Sequence, residues 1–454
     1  MAGLASLLLS APSAAANEAL KQWPTWRGPL ANGLAPHANP PLEWSETRHM
    51  KWKVSIPGRG SATPIIWQNR IFVQTAIPAG ATASPSASAT ASAPSEPGAS
   101  PAQGARGPGG RGGGFRSQQP SEPHQFVLLC LDRETGKTLW QKTLREEVPH
   151  EGHHQADGTF ASGSPVTDGN LVYSFFGSRG LHALDLEGNL KWSRDLGRQQ
   201  TRNSFGEGSS PALVGQTLVV NWDHEGDDFV VALDAATGRE RWRQPRQEIT
   251  SWATPLALET GDRAQVILSA TERIRSYDLA TGKLLWECGG MTQNVIPTPV
   301  AGHGLVYAIS GFRGAALLAL RPDRTGDLTG TDAIVWQHNK NTPYVPSPLL
   351  YDDKLYFLSG NNAMLSCFNA LTGDPLIDAE RIDGLAGVYA SPVGAAGRVY
   401  LAGRNGAVAV LRHGHPLEIL ATNRLDDRFD ASPALVGNEM FLRGRETLYC
   451  LAEK

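Results

Sequence analysis

Cysteine is scarce in this chain: four residues in 454, at Cys130, Cys288, Cys367 and Cys450, with no two adjacent. There is no Cys-x-x-Cys-His, so the sequence carries no c-type haem attachment site. An excess of one charge is also missing. Lys and Arg number 41 against 44 Asp and Glu, a formal net charge of −3. A nucleic-acid surface and an acidic tail are both unsupported by that balance, and no nucleic-acid partner is expected. Nor is there a run near the ~20 apolar residues that cross a bilayer as a helix.

The first sixteen residues pair a short apolar run with small residues, and Ala14 and Ala16 fit an Ala-x-Ala cleavage signal. No Lys or Arg precedes the run. The expectation is a signal peptide over 1–16 and an exported protein, periplasmic or extracellular. With no Cys near the cleavage point, no lipid anchor is expected.

What the chain does have is glycine, proline and a repeat. Gly 49 and Pro 31 fit many tight turns. Ser or Thr followed by Pro recurs at Pro64, Pro165, Pro211, Pro255, Pro299, Pro348, Pro392 and Pro433, at spacings of 101, 46, 44, 44, 49, 44 and 41 residues. A period in the mid-forties is that of a four-stranded propeller blade. Within each period the strands are apolar and β-branched with turn residues between them. The third strand ends in a small residue, an apolar residue and Asp; Thr-Gly and a fourth strand with Trp follow. Cys130-Leu-Asp132…Thr135-Gly136…Trp140 and Ala232-Leu-Asp234…Thr237-Gly238…Trp242 are clear copies. Cys130, Cys367 and Cys450 occupy the small position, as buried hydrophobes. Repeats six and seven lack the Trp, with Ile377 and roughly Leu417 in its place, so their junctions should be less regular.

The last repeat runs out after three strands, and Met50–Ile56 supplies a fourth with Trp52 in place. The reading is therefore an all-β, single eight-bladed β-propeller of four-stranded antiparallel blades, its ring closed by an N-terminal strand. It divides into a signal peptide (1–16), an N-terminal lead-in segment (17–43) and the propeller (44–454). Residues 78–123, almost all Ala, Ser, Pro and Gly, form an insertion between strands two and three of the first blade. That composition cannot bury enough apolar surface to order itself.

The small-apolar-Asp-x-x-Thr-Gly-x-x-x-Trp phrase resembles the tryptophan-docking repeat of pyrroloquinoline-quinone-type propellers. Trp23-Pro-Thr-Trp26-Arg-Gly28-Pro29 resembles the opening of PQQ-like repeat proteins. The resemblance implies one of two functions. Quinoprotein alcohol dehydrogenases bind PQQ with Ca²⁺, use an Asp base, and in many cases set a disulfide of adjacent cysteines against the cofactor. The scaffold propeller of the outer-membrane β-barrel assembly machinery is non-catalytic and usually a lipoprotein. This chain lacks the cysteine pair of the first and the lipid-bearing Cys of the second. Fold alone does not choose between them.

In a meandering blade the Asp-Thr-Gly turns share one face, and the second-to-third hairpins and blade-to-blade crossings share the other. Loops on a rigid frame carry function. Residues just before each Ser/Thr-Pro should approach the central funnel: Arg59, Glu207, Trp252, Asn294, Tyr344, Tyr389 and Asp430. They converge as a binding mouth would, or they plug the channel with hydrogen-bonded groups. His150, His153 and His154 offer imidazoles, and Asp223 and His224 sit in an oxygen-rich hairpin; these are candidate metal ligands, set against ordinary polar loops. The expectation is a monomeric, non-catalytic scaffold without cofactor, presenting its loop face to a protein or small ligand. PQQ with Ca²⁺ is the alternative.

Overall fold

The computed structural model describes residues 14–80, 117–260 and 263–453. Most of the expected signal peptide, and residues 81–116 of the insertion, lie outside them. A short helix spans Ala14–Ala19, and nearly everything after it is strand and turn. Eight sheets follow, each antiparallel and four-stranded at its heart. Blade 1 comprises Ile65–Trp67, Arg70–Pro78, His124–Asp132 and Thr138–Glu147. Blade 8 comprises Ala434–Val436, Glu439–Arg443 and Thr447–Ala452, and its outermost strand is Met50–Ser55, with Trp52 opposite Cys450. The ring is closed by the N-terminal strand.

The Ser/Thr of each repeat has a definite task. Thr63 N–H donates to Ser164 Oγ, Ser164 N–H to Ser210 Oγ, and so on through Thr254, Thr298, Ser347 and Ser391 to Ser432, at 2.8–3.0 Å. Thr63 Oγ1 donates to Ser432 O and completes the circuit. Seven of the eight hydroxyls thus accept the N–H of the preceding blade, buried beside the axis where an unpaired donor would be costly, and the eighth, on Thr63, donates instead.

At the rim the Trp of one blade docks on the turn of the next. Trp52, Trp140, Trp192, Trp242 and Trp336 donate their indole N–H to backbone oxygens of Arg133, Leu186, Ala235, Leu279 and Ala370, at 2.8–3.0 Å. The glycine of that turn lies flat beneath the indole. A Cβ on Gly238 would sit 2.6 Å from Trp192, and the residue's φ of +67° also favours glycine. Asp234 Oδ1 fixes the same turn by accepting from Thr237 N and Oγ1.

Three junctions depart from this scheme. Trp286 donates to Gln265 Oε1 of its own blade, because blade 5 replaces the tight turn with a longer one whose Gly326–Asp327 adds a parallel fifth strand beside Trp286. In blade 6, Ile377 stands opposite Cys367, and the register slips on both sides of that pair. Tyr351 and Tyr356 there hold the next blade through His413, stacked on Tyr351 at 3.9 Å. In blade 7 the residue at the Trp position is Ala421, opposite Val410, rather than Leu417, which precedes the strand Ile419–Arg424. The turn before that strand lacks the Asp-Thr-Gly phrase and is one residue longer, closing from Arg412 N to Glu418 O where blade 3 closes from Asp234 N to Arg239 O. Trp44 of the N-terminal segment fills the space, buried in the cluster that Ala421 packs against, with its backbone N–H received by Asn423 Oδ1.

The four cysteines are unpaired and buried. Burial pushes the Cys130 and Cys367 thiols up to about 12, so neither is a thiolate at neutral pH.

Candidate functional site

Residues 22–39 cross the Asp-Thr-Gly end of the central channel. Trp23 bridges to Ile66 of blade 1, Pro24 O accepts from Thr167 N of blade 2, and Leu34 bridges to Gly394 of blade 7. From this strap Arg27 reaches up the axis, and its Nη2 donates to Asn32 O, Pro348 O and Pro392 O. Its guanidinium is fully enclosed, and burial lowers its pKa to about 9. The channel is thereby stoppered from below.

Above the stopper, on the loop face, lies a cavity of about 360 Å³. Its wall includes Trp26, Phe205, Trp252, Phe312, Tyr344 and Tyr389. The residue position just before each Ser/Thr-Pro was the basis for expecting a mouth here. Five of the seven residues so chosen, Glu207, Trp252, Tyr344, Tyr389 and Asp430, line the cavity. Arg59 does not: its backbone pairs with Ala76 and its side chain is exposed. Asn294 is buried at a φ of +52°, outside the lining. Trp26, Phe205 and Phe312 were missed. Trp26 enters from the strap rather than from the repeat, and Phe312 from a hairpin, stacking on Tyr344 at 4.7 Å. Phe205 lies two residues before Glu207 and was within reach of the same rule.

The polar wall is tightly engaged. Asp157 Oδ2 accepts from the Tyr389 hydroxyl at 3.1 Å, and Asp157 Oδ1 from Arg404 Nη1 at 2.5 Å. Arg404 also pairs with Asp430 through Nε and lies over the Tyr389 ring, 3.1 Å from its centroid. Arg428 Nε stands 3.2 Å from Asp430 Oδ2. Glu207 folds over Gly177 and accepts from Ser178 N, Ser178 Oγ and Arg179 Nη1 at 2.6–2.8 Å. Trp252 is fixed by its indole N–H on Gly206 O.

Among the described residues, His150, Glu151 and Glu207 form the group of possible metal ligands whose atoms lie within 4.8 Å of one another. His150 Nε2 donates to Gln199 O at 2.6 Å, which leaves Nδ1 to face Arg179 Nη2 at 3.4 Å. A protein cation therefore already stands among these ligands. Glu151 accepts from Thr201 N and Oγ1, and burial raises its carboxyl to about 7. The other expected ligands stand apart from this group. His153 packs edge-on against Phe160, and burial lowers its pKa. His154 packs against Phe205, with Nδ1 3.3 Å from Asp157. Asp223 is completely buried and holds Arg246 with both oxygens, and Oδ2 also accepts from Ser251. His224 Nδ1 accepts from Gln200 N.

The family model described as outer membrane protein assembly factor BamB matches residues 125–226 and 197–412. Among solved structures, BamB from Moraxella catarrhalis is similar at a TM-score of 0.52 and 17% identity, over 72% of this chain and 94% of that one. Quinohemoprotein alcohol dehydrogenase from Comamonas testosteroni is similar at 0.58 and 10%, over 95% and 80%. Quinohemoprotein alcohol dehydrogenase ADHIIG from Pseudomonas putida HK5 is similar at 0.56 and 10%, over 99% and 83%. Identities this low speak for the fold. No curated protein matches the chain.

Proposed function

This chain belongs to the outer membrane protein assembly factor BamB family, and from that premise we propose that it is an exported, non-catalytic binding scaffold working through its loop face. The observation that carries the reading is the aromatic cavity, whose carboxylates are already committed to arginines and backbone donors. A general base must be able to reach a substrate proton, and Asp157, Glu207 and Asp430 spend their oxygens on protein partners.

The quinone alternative fits the wall poorly. PQQ is a tricarboxylate, and its binding needs cations at the wall and an oxygen cage for Ca²⁺. The described lining contains three carboxylates and no Lys or Arg. The nearest cluster of ligands, His150, Glu151 and Glu207, holds Arg179 where a divalent ion would sit. Titration with PQQ and Ca²⁺, followed by tryptophan fluorescence and dye-linked alcohol oxidation, should give neither stoichiometric binding nor turnover. Micromolar binding with turnover would make the protein a dehydrogenase. Export rests on the Ala-x-Ala signal. N-terminal sequencing of protein from the extracytoplasmic fraction should read from Asn17.

A further inference from the structure

We propose that the axial cavity holds an organic cation with an apolar shell, an alkylated ammonium or a guanidinium, at the end of a small molecule or of a partner's side chain. The proposal names the ligand class for the site above, and it depends on the cavity being a binding site rather than on the absence of catalysis.

Two features of the wall lead there. Its apolar surface is largely aromatic. Six aromatic residues from the strap, the crossings and one hairpin line a space of about 360 Å³, with Ile296 and Val345 beside them. Ring faces carry the negative part of an aromatic quadrupole, and a desolvated cation over them is attracted most strongly. Arg404 over Tyr389 is such a contact within the protein itself. Trp252, Tyr344 and Phe205 carry no protein cation over their faces among the described residues.

The second feature is the direction of the ion pairs. Asp157, Glu207 and Asp430 line the cavity, whereas Arg179, Arg404 and Arg428, which pair with them, do not. Each pair is therefore a dipole with its negative end toward the cavity. The sum of formal charges is near balance, but the near charges dominate in a partly enclosed space of low dielectric. An anion entering would meet three carboxylates with no lining cation. A neutral sugar would need free donors and acceptors where most lining groups are engaged. A cation with an apolar coat gains from both the rings and the field.

The test uses full-length protein and matched pairs of probes. Choline is compared with 3,3-dimethylbutan-1-ol, its neutral isostere, and acetyl-arginine amide with acetyl-citrulline amide. Binding is read by tryptophan fluorescence and by upfield ring-current shifts of the N-methyl protons. At least one cation should bind about tenfold or more tighter than its neutral partner. Choline's preference would indicate a small ammonium ligand, and arginine amide's a side chain. Trp252→Leu and Tyr344→Leu, each checked for an unchanged melting profile, should abolish the preference while sparing weak binding of the neutral probes. Asp430→Asn should reduce it severalfold. Equal binding of cation and isostere would overturn the ligand class and leave the cavity a general apolar site. No binding by any probe would overturn the proposal outright. Neither result bears on the quinone titration, so the two readings fail separately.

Discussion

Thr298 shows why hydroxyl residues recur before the repeat's proline: its N–H has Ser347 Oγ as acceptor in a buried, crowded place. Ser347→Ala removes the acceptor and should cost about 1–3 kcal/mol in a chemical unfolding titration. Ser347→Thr should cost little, since Thr already serves as the acceptor at positions 254 and 298. The Ser/Thr-Pro spacing could be read from sequence, but the bond could not, because its partner lies one blade away. Gly238 is the opposite case, since Thr-Gly before a Trp announced its turn. Gly238→Ala joins a left-handed backbone to a clash with Trp192 and should lose about 1–3 kcal/mol. Glu151 gives a pH signature. Its raised pKa means that the folded protein holds the proton more tightly than the unfolded chain does. Stability from this group is full below its ordinary value of 4.5 and is lost as pH rises through about 7. Glu207 reinforces the shift and Arg179 opposes it. His153 and His182, lowered by burial, act in the other direction, losing stability as pH falls. The difference in melting temperature between Glu151→Gln and the parent should therefore grow in the variant's favour from pH 5 to 7.5, and a flat difference would contradict the assignment.

At the scale of the strand, what repeats was legible and what replaces a missing repeat was not. Trp52 marked the closing strand because it stood in the phrase's place ahead of the first blade. Ala421 was missed because the turn Arg412–Glu418 carries no Asp-Thr-Gly phrase to count from and is one residue longer, and nothing local shows Trp44 arriving from a distant segment to fill the gap. Trp44→Ala should therefore destabilise like a core truncation, by about 3–5 kcal/mol, although it lies outside every repeat. The insertion makes the contrary prediction. Pro78 and His124 are paired at the end of a long hairpin, and Ala79 N donates to Pro123 O. The described flank also belongs to the fold, since Ser117 N donates to Asn203 O. Excising 81–116 should leave the melting transition in place or raise it slightly, because shortening a loop lowers its closure entropy by about 0.6 kcal/mol per halving.

For the molecule as a whole, one stretch of chain both stoppers the channel and closes the ring. Removing residues 1–56 should lose on the order of 5 kcal/mol or more and leave two open sheet edges prone to association. Removing 1–43 keeps the closing strand but takes away the buried Trp23 and Arg27, so it should open the cavity from below and lower stability by less than the longer truncation. Thermal unfolding and sedimentation of the two truncations would separate the roles. Most of the mouth was legible because propeller geometry brings the position before each Ser/Thr-Pro toward one axis. Arg59 and Asn294 escaped the rule because a β-bridge and a left-handed turn redirect them. The closing strand also sets an order of events during synthesis. Trp52 is made before any blade, yet its neighbour in the sheet is Cys450, so it must wait until blade 8 has been made. Until then every growing intermediate is an open arc with a bare edge at each end. A ribosome that stops anywhere short of blade 8 releases a product that cannot shut, and such a fragment is open to chaperones and proteases. Completion of the ring is thus a built-in check that synthesis has passed through blade 8.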